Sequence, residues 1–569
     1  MITIQAGHLS LSVSAEGTRL HDTAHNQSLM RSPAGWPLLP VIDGTVPAME
    51  FDALRNENGG LVLVLRATSP AAPLATLRIF ARPAADALDL WCEFETREAC
   101  ELNALNLMPA GTGLNVYDVV NFRNRHFTAA TWPEFLVGKE GETSTYSDDW
   151  QFAPHPSALL FRKNATSLFA GFLGLQASFG MRLKVKQSVL QHWDVNFGSS
   201  PHGLRLAKGE TFRSAPLRLF VREDRDPHAL FSEFGAMLVS GKQIPDPTNR
   251  TPAAWWREPL YCTWGDQWMQ ANKAPAVSLA DQTAEDASPA TEVLDEAFVW
   301  RAVEVIRRER LPIRTIVLDE GWAVARGDWR PHPKRLPDLR GLVDRLHALG
   351  FKVVVWWNWA EIAREVQVDP AFLAGGGWLN KHGCRWRDYS DPSVQEGYLK
   401  PLFRTLFSAE PGCYDLDGVK TDFLADKVHP ETPVHNPAWR GEERYFYETT
   451  RLFHTEMRRH KKDALHLGCA GHYWLADLID LNRTYDVHSS NWLEHEARAR
   501  MLMCTSPGVP PSYDMMTCTE NTDRWFESAR RLGAAIEIGN VLHERPDSFT
   551  PVKPAGPGYW NLLRNGLNE

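Results

Sequence analysis

Residues 1–245 run in short stretches that alternate hydrophobic and polar positions: ITIQA, LSLSV, LVLVLRA, TLRIFARP, LDLWCEFET, SLFAGFLG and MRLKVKQSVLQHWDV. A period of two puts one face of a strand on a core and the other in water. Gly, Pro, Asn and Asp separate the stretches, so the pattern predicts an N-terminal antiparallel β-sandwich domain over 1–245. The polar, Pro-rich segment IPDPTNRTPAAW follows, and 246–256 read as a linker.

The pattern then changes. YCTW leads to a helical period in LDEAFVWRAVEVIRRERL, and RTIVLDEGW to LRGLVDRLHALG. FKVVVWWNWAEI, LDGVKTDF, the helix EERYFYETTRLFHTEMRRHK and ALHLGCAG come after. Runs such as KVVVWW are those of a strand covered on both faces. Strand and helix alternate over 257–545, enough for the roughly 250 residues of eight βα units. The expected fold class is therefore an α/β TIM barrel catalytic domain behind the sandwich. Residues 546–569 read as a C-terminal tail or as the last barrel helix.

Composition narrows the function. The 569 residues carry a net charge of −9, which builds no basic field for nucleic acid. No run of about 18 apolar residues is present to span a membrane. The N-terminus alternates like a strand and has no charged-then-apolar leader. The 8 Cys are scattered without zinc spacing. These features suit a reduced, cytoplasmic protein that needs no cofactor. The 22 Trp are many, and several stand beside acids, among them Trp264, Trp322, Trp356 and Trp357. An indole face stacks on the C–H face of a sugar while a nearby carboxylate takes hydrogen bonds from hydroxyls; the same residues also serve as core.

Barrel enzymes carry their chemistry at the C-terminal ends of the strands. Asp319 and Glu320 follow TIVL, Glu361 follows KVVVWWNW, and Asp422 ends DGVKTD with Lys420 two residues earlier. Arg483 and Asp486 follow in RTYD. Cleavage of a glycoside needs two carboxyl groups, one ionised and one holding a proton. Lys420 shares a strand face with Asp422 and would keep the latter ionised. The same cation opposes a metal held by Asp319, Glu320 and Asp422. Asp319 and Glu320 could equally cap a helix, and Asp486 could pair with Arg483. Glu361 and Arg387 have structural readings of equal standing, and His472 and His488 read most simply as loop histidines.

LDEGW, RGDW, HALGFKVVVWWNWAEI, DGVKTDF and LGCAG occur in an order that resembles the α-galactosidases of glycoside hydrolase family 36 and their clan D relatives. That resemblance covers about 257–490 and implies a retaining exo-glycosidase acting on terminal α-linked sugars, α-D-galactosides foremost. It implies Asp422 as nucleophile, Asp486 as acid/base and Lys420, Asp319 and Glu320 as grips on sugar hydroxyls. Trp264, Trp322 and Trp357 would wall the pocket, with Glu361, Cys469 and Arg483 also at the substrate. Three departures stand out. Glu320 is one methylene longer than the family's Asp. CAGHYW replaces the glycine-rich CSGGG, and RTYD replaces SDN. Glu494, Glu496 and Asp514 are the reserve acids. A raffinose-synthase-like transglycosylase and a non-catalytic sugar-binding relative are the alternative readings. The expected partner is an oligosaccharide or glycoside, not nucleic acid or membrane; homo-oligomerisation is left open.

Overall fold

The structure is a computed structural model. It describes residues 1–33, 35–108, 114–115, 118–120, 143–145, 158–163, 166–174, 180–186, 189–197, 203–223, 226–271, 289–358, 361–373, 385–422, 434–440, 442–469, 472–484, 491–547 and 550–568. The chain divides into two compact units. One is built on Met1–Ile244 with Pro437–Phe446; the other holds Pro245–Asp426, Val434–Asn436 and Tyr447–Glu569.

The first unit is antiparallel β-structure. Ile2–Ala6, Leu9–Ser14, Gly17–Asp22 and Gln27–Pro33 form a four-stranded meander. A nine-stranded sheet is centred on Gly60–Ala67, Leu74–Ala84 and Ala87–Thr96, and a seven-stranded sheet on Cys100–Met108 and Val189–Asn196. Alternation decides the faces: Leu63, Ile79, Leu90, Leu105 and Val195 point into one hydrophobic core shared by all three sheets. The helix Pro227–Ser240 starts at Asp226, whose carboxylate accepts from the His228 N–H. Its Phe231 and Phe234 pack on Phe169 of the nine-stranded sheet.

The second unit is a closed barrel of eight parallel strands. They are β1 (Leu260–Cys262), β2 (Thr315–Leu318), β3 (Lys352–Asn358), β4 (Gly418–Asp422), β5 (Leu465–Cys469), β6 (Leu481–Arg483), β7 (Pro511–Met516) and β8 (Ala535–Ile538). Helices α1 (Glu296–Arg308), α2 (Leu339–Ala348), α3 (Lys400–Phe407), α4 (Glu442–His460), α5 (Trp492–Thr505) and α6 (Thr522–Leu532) connect them, and α7 (Pro557–Asn568) follows β8. Between β5 and β6 the described residues form only a short 3-10 turn, Tyr473–Leu475. The helix that strict alternation would require is absent there. CAGHYW buries His472 and Tyr473 in that stretch.

Period two also orders the barrel interior. Leu260, Cys262, Val317, Val354, Leu465, Leu467, Leu481 and Ala535 form one apolar plug, with Trp256 packed among them. The next inward positions toward the C-terminal ends are Asp319, Trp356, Lys420, Arg483 and Glu537. Apolar strand centres thus raise a floor, and the residues one step above it are charged apart from Trp356.

The seam between β1 and β8 is fastened by Asp266, in the helix Trp264–Ala271. Its carboxylate accepts from the backbone N–H groups of Val541 (2.7 Å), Leu542 (3.0 Å) and His543 (3.0 Å), and from the Tyr261 hydroxyl (2.9 Å). Gly265 permits this approach, since a Cβ there would lie 2.2 Å from the Gly539 carbonyl. Among the described residues no helix is long and apolar enough to cross a membrane.

Candidate active site

Among the described side chains, seven of the eight strands deliver one to the upper mouth of the barrel. Asp422, the last residue of β4, accepts from Trp356 Nε1 (3.1 Å) and from Arg483 Nη1 (3.4 Å). Its side chain keeps 16% exposure, while Arg483 keeps 2%. The nucleophile candidate is thus the group that opens to solvent, and its supports lie beneath it.

Lys420 lies one step lower on the same face. Its ammonium donates to Asp319 Oδ2 (2.8 Å), Cys262 Sγ (3.2 Å) and Glu537 Oε1 (3.3 Å). Burial, and then Arg483, pull its pKa down; the acidic surroundings, Asp319 foremost, outweigh them and hold it well above the ordinary lysine range. Asp319 also accepts from the Cys262 thiol (3.0 Å) and from the Glu320 N–H (2.8 Å). Arg483 grips both oxygens of Asp514 through Nη2, at 2.9 and 2.8 Å. Asp514 sits where the β7–β8 register shifts, and this irregularity turns its side chain toward Arg483.

A second group lines one side of the mouth. Arg326, on the hairpin after β2, donates Nε and Nη2 to Glu320 (2.7 and 3.2 Å) and Nη1 to Glu361 (2.9 Å). Its guanidinium lies over the Trp356 ring, 5.7 Å from the centroid. Burial raises the Glu320 pKa above the usual carboxylate range, with Arg326 pulling the other way. Asn358 donates to the same Glu361 oxygen as Arg326, at 2.8 Å.

Asp319, Glu320, Lys420, Asp422, Glu361 and Arg483 therefore come together as expected neighbours. Trp264 is half-buried and packs on the barrel's inner cluster. Trp322 and Trp357 are a correction. Both are fully buried, and Trp357 points outward, stacked on Trp329 at 4.3 Å and against Phe403 of α3 and Phe453 of α4. Trp357 stands one residue from the inward face and Trp322 is held by its Nε1–H on the Trp356 carbonyl (2.8 Å), so both are packing groups, and Trp356 is the indole that reaches Asp422. Arg387 donates to the Gly327 carbonyl and stacks on Tyr398, 3.5 Å from its centroid. Cys469 ends β5 opposite Arg483; its side chain, together with Asp486 and His488, lies outside the described residues.

The reserve acids are committed elsewhere. Glu494 pairs with Arg498 (2.6 Å), Glu496 accepts from Ser528 (2.8 Å) and Arg500 (3.0 Å), and Asp514 is held by Arg483. Sequence reasoning passed over Cys262, Arg326 and Glu537. Glu537 had a readable signal: a charge inside AIEI, a strand otherwise apolar on both faces. Among the described residues no group of three or more His, Cys, Asp or Glu could hold a metal ion.

Comparison with known proteins bears on the barrel that holds these residues. Residues 287–489 match the model of the glycosyl hydrolases family 31 TIM-barrel domain. That stretch contains Asp319, Glu320, Glu361, Lys420, Asp422, Arg483 and Asp486. No curated protein matches the chain. Among solved structures, the α-galactosidase of Lactobacillus brevis is similar over 100% of this chain and 82% of its own, at 13% identity and TM-score 0.55. The galactosidase domain of an α-galactosidase–sucrose kinase is similar over 99% and 84%, at 12% identity and TM-score 0.56. A family 36 α-galactosidase of Geobacillus stearothermophilus is similar over 99% and 84%, at 13% identity and TM-score 0.54. These likenesses establish the fold. The matched sequence model is that of family 31, while family 36 enters through structure alone. The barrel is a glycoside hydrolase barrel.

Proposed function

We propose that the chain is a retaining exo-glycosidase that hydrolyses terminal α-linked sugars, with α-D-galactosides as the first substrates to test. The observation that carries this reading is Asp422 itself: a strand-end carboxylate, open to solvent, aimed by Trp356 and faced by Arg483. In the double displacement, an Asp422 oxygen bonds to the anomeric carbon as the glycosidic C–O bond breaks, and the acid donates its proton to the leaving oxygen. Water then attacks the same carbon, its proton passes to the acid's conjugate base, and Asp422 recovers its charge. Arg483 loses one counter-charge while Asp422 is esterified, but the bidentate Asp514 keeps it paired throughout.

The acid is Asp486. Three carboxylates near it in sequence are already engaged by guanidinium groups. Asp319 and Lys420 form the grip beneath the sugar. The Glu320–Arg326–Glu361 group forms the side wall.

The test is chemical rescue. Asp422→Gly is expected to lower kcat on an aryl α-galactoside by at least about 10⁴-fold, and azide to restore part of it as the β-glycosyl azide. A fully active Asp422→Gly enzyme would remove the proposal. Asp486→Ala should impair poor leaving groups far more than activated ones; an equal loss on both would reassign the acid.

A further inference from the structure

The floor of the mouth contains one more carboxyl than the double displacement uses. Glu537 of β8 is fully buried. One oxygen, Oε1, accepts from Lys420 at 3.3 Å. The other, Oε2, has no hydrogen-bond partner among the described residues, and Arg483 Nε stands 3.9 Å away. Lys420 is nearer Asp319, at 2.8 Å, and Arg483 is nearer Asp514, at 2.8 Å. Each cation thus has a closer carboxylate, and Glu537 stands between them as the less engaged partner.

We propose that Glu537 is a positioning residue, and that the proton on its carboxyl lets Lys420 stay with Asp319 and Arg483 stay with Asp422. The inference rests on the reading of Asp422 as nucleophile. An unbonded oxygen in a dry interior is tolerable on a neutral carboxyl and costly on an ionised one. The groups that face it are Lys420 of β4, Arg483 of β6, Asp319 of β2, Asp514 of β7 and Cys262 of β1. Burial pushes its pKa above the carboxylate range; Lys420 and Arg483 oppose that, while Asp514 and Asp319 add to it.

Losing that proton has a direction. The layer of Asp319, Asp422, Asp514 and Glu537 would then set four negative charges against the two cations. The new charge draws Arg483 toward Oε2, 3.9 Å away, and off an Asp422 contact that is already 3.4 Å long. Activity falls as pH rises through the folded pKa of Glu537, before the cations themselves titrate.

Two measurements test this. The infrared difference spectrum of wild type minus Glu537→Gln, at neutral pH, should contain the C=O stretch of one protonated carboxyl. Its absence would overturn the proposal. In kcat/KM against pH, Glu537→Gln should move the alkaline limb up by about one pH unit, and Glu537→Asp, which keeps a titratable carboxyl, should restore a limb at lower pH. An alkaline limb of Glu537→Gln that superposes on wild type, or an equal loss at every pH, would also overturn it. Should wild type cleave no aryl α-glycoside, the glycosidase reading fails while the infrared result still decides the state of Glu537.

Discussion

The residues proposed to choose the sugar are the ones the sequence disguised. Glu320 read as a longer version of a hydroxyl-gripping Asp, but its two oxygens face Arg326, which also holds Glu361. The wall therefore presents a bound guanidinium as well as carboxylates. Arg326→Met would leave two acids on that wall without their cation. The expected result is a change of about tenfold or more in KM and a new ranking among aryl α-glycosides varied at C4 and C6. An unchanged ranking would assign Arg326 to support alone. Asp422, Lys420 and Asp319 were legible because strand-end position and period two suffice to place them. Arg326 was not, because a hairpin carries it and no periodicity fixes where a hairpin side chain lands. Trp357 misled for a related reason: in KVVVWW both faces are apolar, so the pattern does not say which of the two indoles points inward.

At the scale of elements, most strands and helices followed from their periods. The step from β5 to β6 did not, since a buried 3-10 turn replaces the helix that alternation called for. The seam held by Asp266 was equally hidden, because its partners are backbone groups supplied from the far end of the chain. Its loss has a computable cost. Asp266→Ala strands one buried and two partly buried N–H groups and a buried tyrosine hydroxyl, at about 1–3 kcal/mol for each buried group left unpaired. Some will find water, so a destabilisation of roughly 3–5 kcal/mol is expected. Urea unfolding should register it, and a loss under 1 kcal/mol would mean that another contact fastens the seam.

The barrel as a whole depends on groups kept neutral in its wall. His466 of β5 bonds the Thr421 hydroxyl at 3.1 Å and the Leu478 carbonyl at 2.7 Å, and His454 of α4 lies 6.3 Å from it, ring to ring. Burial pushes His466 down to about 4 and His454 down to about 3. The unfolded chain takes up these protons near the ordinary value of about 6.5, so unfolding binds protons below it. Stability is complete above that pH and declines as pH falls toward the folded values. Relative to the non-titrating variant His466→Gln, wild type should lose about 2 kcal/mol between pH 7 and pH 5. A constant difference across that range would mean that His466 takes up its proton inside the barrel at the same pH as in the unfolded chain. The barrel was readable from the order of strands and helices; this acid sensitivity was not, because nothing in the run ALHLGCAG says how dry its histidine is.

The Asp266 seam also has a timetable. Its carboxylate and the Val541 N–H that it binds are 275 positions apart. A ribosome adding roughly 5–20 residues per second delivers the second partner on the order of tens of seconds after the first. Throughout that interval β1 has no β8 beside it, and one of its edges offers unpaired backbone to any passing strand. The last barrel strand to emerge is therefore the one that ends the exposure of the first.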